Sequence, residues 1–358
     1  MLCCERRGAS RGAATNGLRG RGTQRTDEYT CSDASDEAPA EERLPTACVA
    51  GERNERMNAE RKTVVVSGSS GLIGSALVTR LAAAGHHVMR LVRRPALAGE
   101  IRWDPSAGEL PAADLDGVDA VIHLAGAGIG DKRWTAARKA EIFESRTTST
   151  DLLARTLANL ERPPSVLLSG SAVGIYGARG DEQLDESATT GTGFLADLCR
   201  AWEAATEPAS AAGIGVAHLR SGMVLSSDGG VLAKQLPLFK FGLGGRFGSG
   251  DQWQSWISID DEVGAIEHLL TAGVVGPVNL TAPAPVTNSE FTDLLARVLR
   301  RPHLPLIPSI GPKTLYGREL VENLLLTGQR VLPGALLESG FVFRHPDLED
   351  ALRQLLGR

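Results

Sequence analysis

A glycine-rich turn between a strand and a helix constrains the fold of this chain more than any other feature. A β-branched run beginning at Thr63 leads into the pattern G-x-x-G-x-x-G, which is formed by Gly68, Gly71 and Gly74. Apolar residues at helical spacing follow, and a second strand is predicted over His87–Val92. Glycines at these positions allow a sharp turn and a close approach to a pyrophosphate, while the start of the helix offers N–H groups to the phosphate charge. The segment therefore predicts a dinucleotide site, contacted by Gly68, Ser69, Ser70, Gly71, Leu72, Ile73 and Gly74.

The residues after the second strand bear on the choice of cofactor. An Asp or Glu there would bind the ribose 2′-hydroxyl of NAD, whereas an Arg would pair with the 2′-phosphate of NADP. Arg93 and Arg94 follow the strand directly, and the first acid after them is Glu100. The sequence therefore predicts NADP(H), bound by Arg93 and Arg94. The alternative is that both arginines are solvated side chains on a loop.

Strands and helices alternate through the rest of the folded part. The run VDAVIHLAG predicts a buried strand, a long polar helix follows it, and SVLLSGSAVGIYG predicts the next strand. Strict alternation is typical of an α/β fold with a doubly wound parallel sheet, in which ligands bind at the carboxyl ends of the strands. Residues 126–134 and 170–177 are therefore expected to face the cofactor. After a proline-rich stretch, one more helix is predicted in a small carboxyl-terminal substrate lobe.

Composition excludes two broad classes of protein. Of the 358 residues, 42% are hydrophobic, and no apolar run approaches the roughly 18 residues of a membrane-spanning helix. The net charge of -5 and the aromatic content of 4% argue against a nucleic-acid binder, which usually carries a basic surface. The predicted partner is therefore a small-molecule substrate, not nucleic acid or a membrane, and a homodimer is left open.

The cysteines indicate a reducing compartment. Four of them lie in the first fifty residues and only Cys199 lies beyond, so the folded part cannot form a disulfide of its own. No spacing fits a CxxC or Cys/His pattern, and no metal site is predicted. A cytoplasmic location is therefore expected. Cys199 has no neighbouring His, which favours a buried thiol over a nucleophile.

The first sixty residues lack hydrophobic periodicity. A basic stretch over residues 1–26 is followed by an acidic stretch over residues 27–60. Low hydrophobicity with blocks of like charge predicts a disordered tail over residues 1–60. Two alternatives stay open, namely an organellar transit peptide and a start of translation at Met57, shortly ahead of the first strand.

Several further motifs occur in order along the chain, namely DAVIHLAGAGIGDKRWT, SRTTST, SGSAVGIYG, LRSGMVLSSDGG and WISIDD. Together with GSSGLIG they resemble the extended short-chain dehydrogenase/reductases of the NAD-dependent epimerase/dehydratase type. KRW, FLADLCRAWE and GLGGRFGSGDQWQSWI are similar to a subgroup of uncharacterised epimerase-like proteins, some of them labelled cell-division inhibitors, with a short carboxyl-terminal domain of unknown function. The resemblance implies a Rossmann domain over residues 61–282 and a carboxyl-terminal lobe over residues 283–358.

The resemblance also implies roles for particular residues. Leu124, Ala125 and Gly126 would lie beside the cofactor. Ser171 is similar to the catalytic serine that follows the fifth strand in this family. These residues extend the predicted site from the glycine turn to the centre of the sheet.

The usual general acid/base of the family is missing. It is a Tyr followed four residues later by a Lys that lowers its pKa, yet neither Tyr29, Tyr176 nor Tyr316 has a Lys at that spacing. Tyr176 and Lys132 are the candidate substitutes, because Tyr176 follows Ser171 on one loop and Lys132 lies in the loop after the fourth strand. The alternatives are a structural Tyr in a turn and a solvated Lys.

Other polar residues have competing interpretations. Trp202 and Glu203 are expected to pack or cap a helix, with a role in the site as the alternative. Arg246, the one cation in FGLGGRFGSGD, is interpreted either as a partner for an anionic substrate or as a solvated side chain. Asp260 and Asp261 open a predicted helix, which favours capping over acid/base chemistry.

Two functions remain open at this point. One is an NADP(H)-dependent oxidoreductase or epimerase-like enzyme that acts on a small carbonyl or sugar-like substrate with an unusual proton donor. The other is an NADP(H)-binding sensor or scaffold without turnover. Ser171 favours the first, and the missing Tyr-x-x-x-Lys pair favours the second.

Overall fold

A parallel sheet of seven strands forms the centre of the protein. The computed structural model describes residues 61–308 and 310–358, so the predictions made for residues 1–60 lie outside the described residues. The strands are β1 (Thr63–Ser67), β2 (His87–Val92), β3 (Glu100–Arg102), β4 (Ala120–His123), β5 (Val166–Ala172), β6 (Gly215–Ser221) and β7 (Gly276–Leu280). They lie in the order β3-β2-β1-β4-β5-β6-β7. The predicted α/β fold with a doubly wound parallel Rossmann sheet is confirmed.

Helices cover both faces of this sheet, and further helices pack together in a separate core. They are α1 (Leu72–Ala83), α2 (Ala136–Ala158), α3 (Phe194–Ala204), α4 (Glu207–Ala211), α5 (Gly230–Lys240), α6 (Ile259–Leu269), α7 (Asn288–Leu299), α8 (Ile310–Tyr316), α9 (Arg318–Leu324), α10 (Gly334–Glu338) and α11 (Leu348–Leu356). Two 3₁₀ turns cover Ala112–Asp114 and Val173–Tyr176. None of the helices in this part of the chain is long and apolar enough to cross a membrane.

The alternation of side chains along β1 explains the two layers of helices. Val64 and Val66 are buried in one core with Leu77 of α1. Val65 points to the other face of the sheet, where it shares a core with Leu153 of α2. Because the central strands β1 and β4 are buried on both faces, they are made of nearly continuous apolar residues.

A third core joins the carboxyl-terminal helices to the segment before them. Phe291 of α7 and Leu352 of α11 are buried with Leu236 of α5 and with Trp256. The domain boundary after residue 282 therefore stays a prediction, because residues before and after it pack in this same core. Four short strand pairs complete the fold, and they are Gln183–Leu184 with Arg330–Val331, Met223–Leu225 with Trp256–Ser258, Gly245–Phe247 with Leu304–Ile307, and Trp253–Gln254 with Val286–Thr287.

Candidate functional site

The glycine turn fits tightly between β1, β4 and α1. Gly68 has a φ of 67°, and a Cβ at this position would lie 2.6 Å from the backbone of Leu124 at the end of β4. A Cβ at Gly74 would lie 2.2 Å from the carbonyl oxygen of Gly68, so α1 packs directly on the turn. Gly71 precedes α1 without a side-chain cap, and the first turn of α1 contains no acid. The N–H groups of that turn can therefore bind an anion.

The other predicted residues of the turn lie around the start of α1. Ser70 and Gly71 are exposed, whereas Ser69, Leu72 and Ile73 are half-buried. The backbone of the turn is thus open to a ligand on its outer side, while the first residues of α1 contact the protein on their inner side.

Arg93 and Arg94 both lie on the surface after β2. Arg94 donates hydrogen bonds of 2.7 and 2.6 Å to the two carboxylate oxygens of Glu100, and this pairing lowers the pKa of Glu100. The backbone N–H of Leu97 donates a further hydrogen bond of 2.9 Å to the same carboxylate. Glu100 is therefore not free to bind a ribose hydroxyl, and Arg93 has no hydrogen bond to another described residue.

A buried histidine fixes the end of β4. The Nδ1 atom of His123 lies 2.6 Å from Ser67 Oγ, and its Nε2 atom lies 3.2 Å from the hydroxyl of a serine on α2. Burial lowers the pKa of His123 to about 4, so the ring is neutral at physiological pH. The residues that follow, Leu124, Ala125 and Gly126, run beside the glycine turn, and Gly126 is exposed.

A chain of buried polar groups crosses the carboxyl ends of β5, β6 and β7. The strand register places Ser171, Arg220 and Asn279 side by side. Ser171 donates a hydrogen bond of 2.7 Å to Glu203 of α3, and Arg220 donates hydrogen bonds of 2.9 Å to both carboxylate oxygens of Glu203. Arg220 also donates to the hydroxyl of Tyr176 at 2.9 Å, and Tyr176 donates to Asn279 at 2.7 Å.

This network holds Glu203 in its ionised form. Burial raises the pKa of Glu203, but the hydrogen bonds from Arg220 and Ser171 and the charge of Arg220 outweigh it, so the pKa lies below its usual value. An ionised carboxylate only accepts hydrogen bonds, so it binds the hydroxyl hydrogen of Ser171. The remaining lone pairs of Ser171 can then accept a hydrogen bond from a ligand.

The two predicted proton donors lie in different surroundings. Tyr176 is 0% exposed, its hydroxyl is bonded to Arg220 and Asn279, and burial raises its pKa. In this position Tyr176 holds Arg220 in place and does not present its hydroxyl to a ligand. Its role as a proton donor stays a prediction, and this geometry argues against it. Lys132 is exposed on the loop between β4 and α2, and its role also stays a prediction.

One structural interpretation from the sequence is confirmed, and a second is corrected. Cys199 is a buried free thiol, and burial raises its pKa to about 12, which makes it unreactive at neutral pH. Capping of α6 was expected from Asp260 and Asp261, but the cap is Ser258, which accepts a hydrogen bond of 3.0 Å from the N–H of Asp261. The carboxylate of Asp261 in turn binds the backbone N–H groups of Arg344 and His345, at 2.7 and 3.0 Å, so its role is structural.

Sequence reasoning missed several polar residues at this edge of the sheet. Glu203 was expected to pack or cap, and Arg220, Asn279 and Arg146 were not considered. Arg146 lies on α2, and its guanidinium carbon is 5.0 Å from the centre of the ring of Trp202. A signal was present for Arg220, because a charged residue inside an otherwise apolar strand needs a buried partner.

Two parts of the chain match known families. Residues 64–205 match the NAD dependent epimerase/dehydratase family, and residues 307–355 match a domain of unknown function, DUF1731. An epimerase family protein of Mycobacterium tuberculosis is 46% identical over 291 residues, which are 81% of this chain and 96% of that protein. The epimerase family protein SDR39U1 of Homo sapiens is 36% identical over 298 residues, which are 82% of this chain and 99% of that protein.

Solved structures of such proteins are also similar to this one. The human epimerase family protein SDR39U1 (isoform 2) with NADPH has a TM-score of 0.76 and 33% identity, and the match covers 83% of this chain and 99% of that chain. A nucleoside-diphosphate sugar epimerase from Corynebacterium glutamicum has a TM-score of 0.70 and 38% identity, with 83% of this chain and 59% of that chain covered. The UDP-glucose 4-epimerase of Thermotoga maritima, at 17% identity and a TM-score of 0.66, shares the fold.

Proposed function

Because the chain belongs to the NAD-dependent epimerase/dehydratase family, among the SDR39U1-like proteins with a carboxyl-terminal DUF1731 domain, we propose that it is an NADP(H)-dependent oxidoreductase or epimerase. Its proposed substrate is a small carbonyl or sugar-like molecule. The observation that carries the proposal is the hydrogen bond from Ser171 to ionised Glu203 at the end of β5. This pair can orient a substrate hydroxyl and take up its proton.

The proposed cofactor is NADP(H), bound across the carboxyl ends of the strands. The first turn of α1, after Gly71, would hold the pyrophosphate by its N–H groups. Arg93 would pair with the 2′-phosphate, and Arg94 would add only the N–H groups left free, such as its Nε–H, because both of its terminal nitrogens donate to Glu100. Glu100 is held by Arg94, which supports NADP(H) over NAD(H), because no carboxylate at the end of β2 is left to bind a 2′-hydroxyl. The NADPH in the human SDR39U1 structure supports the same choice.

The proposed chemistry divides between the cofactor and the chain. A bound nicotinamide nucleotide supplies the group that accepts or donates a hydride. Ser171 accepts a hydrogen bond from the substrate hydroxyl, and as that proton moves to Ser171, the hydroxyl proton of Ser171 moves to Glu203. Arg220 holds Glu203 in place, and Lys132, exposed on the loop after β4, stays a proposed alternative proton donor.

A second function, an NADP(H)-binding sensor or scaffold, is favoured by one observation. The hydroxyl of Tyr176, the residue closest in sequence to Ser171 that could donate a proton, is buried and bonded to two partners. A site that binds the cofactor but moves no proton would fit this arrangement. A measurement of turnover distinguishes the two functions, because only the enzyme converts a substrate.

The decisive experiment measures NADPH oxidation with a panel of carbonyl compounds and NADP⁺ reduction with a panel of alcohols and sugars. Ser171→Ala and Glu203→Gln should each lower turnover by about 100-fold or more, with little change in the dissociation constant of NADPH. Ser165→Ala is the matched control, because Ser165 is an exposed serine at the opposite end of β5. Full NADPH binding without turnover in either direction would contradict the enzyme proposal and favour the sensor.

The proposed compartment is the cytoplasm. Cys199, the one cysteine among the described residues, is a free thiol, as is usual in a reducing compartment. Fractionation of cells that express the tagged protein tests this proposal, and recovery in a membrane or organelle fraction would contradict it.

A further inference from the structure

Arg146 carries a positive charge that no described residue neutralises. It lies half-buried on α2, and its hydrogen bonding within the described part of the chain consists of one bond of 3.0 Å to the carbonyl oxygen of Ile142 on the same helix. Burial lowers the pKa of Arg146, and no described carboxylate is close enough to raise it. Arg220, by contrast, is paired with Glu203 at 2.9 Å. A guanidinium without such a partner destabilises the protein unless a ligand supplies the negative charge.

The surroundings of Arg146 connect it to the site. Its guanidinium lies 5.0 Å from the ring centre of Trp202, whose Nε1 atom is buried without a hydrogen-bond partner among the described residues. On another side, a Cβ at Gly126 would lie 3.0 Å from the guanidinium carbon, and Gly126 is exposed to solvent. Cys199 lies close to both Arg146 and Ser171. Arg146 is therefore between the loop after β4 and the end of β5.

We propose that Arg146 binds the carboxylate of the substrate, and that this substrate is a small hydroxy acid. The inference rests on the proposed function, in which Ser171 accepts a hydrogen bond from the substrate hydroxyl. The planar guanidinium offers paired N–H donors that match a carboxylate, and stacking on Trp202 keeps it in one orientation. A single uncompensated positive charge matches the single negative charge of a carboxylate.

The phosphates of the cofactor have other partners in this scheme. The pyrophosphate is assigned to the start of α1 at Gly71, and the 2′-phosphate is assigned to Arg93 and Arg94. These residues follow β1 and β2, whereas Arg146 lies on the other side of the glycine turn, near the ends of β4 and β5. Arg138 is a second cation near Arg146, but it is already paired with Glu141 at 2.7 Å, so a doubly charged phosphate beside Arg146 would leave one negative charge unpaired.

Ligand binding to the NADP⁺-loaded protein tests the inference. A panel of short 2-, 3- and 4-hydroxy acids, each with its neutral amide, is titrated into the protein and followed by calorimetry. We expect at least one acid to bind about tenfold or more tightly than its amide. Arg146→Gln should abolish this preference, and Arg146→Lys should retain part of it because the charge remains without the planar donors. Arg155→Gln, on the exposed side of the same helix, is the matched control and should leave the preference intact.

A second measurement distinguishes a binding role from a structural one. Without ligand, Arg146→Gln should unfold at the same temperature as the wild type or higher, because the variant removes an uncompensated charge. A wild type that binds no acid better than its amide would overturn the inference, and so would a preference that survives Arg146→Gln. Weaker NADPH binding in this variant would assign Arg146 to the cofactor instead. If the wild type does not bind NADPH at all, the proposed function fails and this inference fails with it.

Discussion

Replacing Glu262 with Gln is expected to stabilise the protein increasingly as the pH rises. Glu262 lies in the first turn of α6 and is 0% exposed. One carboxyl oxygen accepts a hydrogen bond of 2.6 Å from the hydroxyl of Ser221, while the other has no partner among the described residues. Burial raises the pKa of Glu262 from 4.5 to about 8, so the group is protonated in the folded protein at neutral pH.

The sign of the effect follows from these two pKa values. Below about pH 4.5, Glu262 is protonated in both the folded and the unfolded chain, so its ionisation does not change the free energy of unfolding. Between about pH 4.5 and about pH 8, only the unfolded chain ionises, and each pH unit stabilises the unfolded chain by about 1.4 kcal/mol. By pH 7 the loss of folding free energy is about 3 kcal/mol. Above about pH 8 the folded protein ionises as well, and the loss levels off.

Urea unfolding of the wild type and of Glu262→Gln at a series of pH values measures this effect. Other titrating groups cancel in the difference between the two proteins, because Gln does not titrate and the rest of the chain is the same. The stability advantage of the variant should rise steadily from about pH 5 to about pH 8. Ser221→Ala removes the hydrogen bond that favours the ionised carboxylate, so it should raise the pKa of Glu262 further. When Ser221→Ala is present in both proteins, the stability advantage of Glu262→Gln should therefore continue to rise at higher pH. A difference that stays constant over this range would refute the assignment of a buried, protonated Glu262.

Three further outcomes are expected. Gly74→Ala should weaken NADPH binding more than tenfold, because the new Cβ would lie 2.2 Å from the carbonyl oxygen of Gly68, and a titration followed by NADPH fluorescence checks this. The wild type should bind NADPH about tenfold or more tightly than NADH, and the double change of Arg93 and Arg94 to Ala should remove the difference, as measured by calorimetry. Tyr176→Phe should lower the free energy of unfolding by about 1 to 3 kcal/mol, because it leaves buried polar groups without partners, and urea unfolding measures the loss.

The part of the site that depends on local sequence could be predicted. The positive φ of Gly68 and the close packing of Gly74 require glycine, so the spacing of these residues carries the geometry of the turn. The alternation of apolar strands and helices predicts a doubly wound parallel sheet, because crossovers in parallel sheets have one hand. The exposed positions of Arg93 and Arg94 follow in the same way, since they come directly after β2.

The polar network could not be predicted, because its contacts depend on register between distant segments. The hydrogen bond from Tyr176 to Asn279 joins residues that are 103 positions apart, and the one from Arg220 to Tyr176 spans 44 positions. No local motif marks Asn279, and the position of Arg220 inside a strand indicates a buried partner without identifying it. The sequence therefore led to Tyr176 as a proton donor, although the fold uses its hydroxyl to hold a charged side chain in the core.

In the proposed function, the network would let a site without the Tyr-x-x-x-Lys pair select a substrate. A tyrosine beside a lysine donates a proton, whereas Ser171 has its hydrogen bound to ionised Glu203 and is left to accept one. While Glu203 is ionised, a hydroxyl can donate such a hydrogen bond to Ser171, so in the proposed scheme this state of the site binds the alcohol form of the substrate. In the proposed scheme Arg146 adds donors for an anion on the other side. One acceptor and one cationic donor in the same site together match a molecule that carries both a hydroxyl and a carboxylate. Oxidation of that hydroxyl releases a proton, and this is the direction in which the network with ionised Glu203 can accept one.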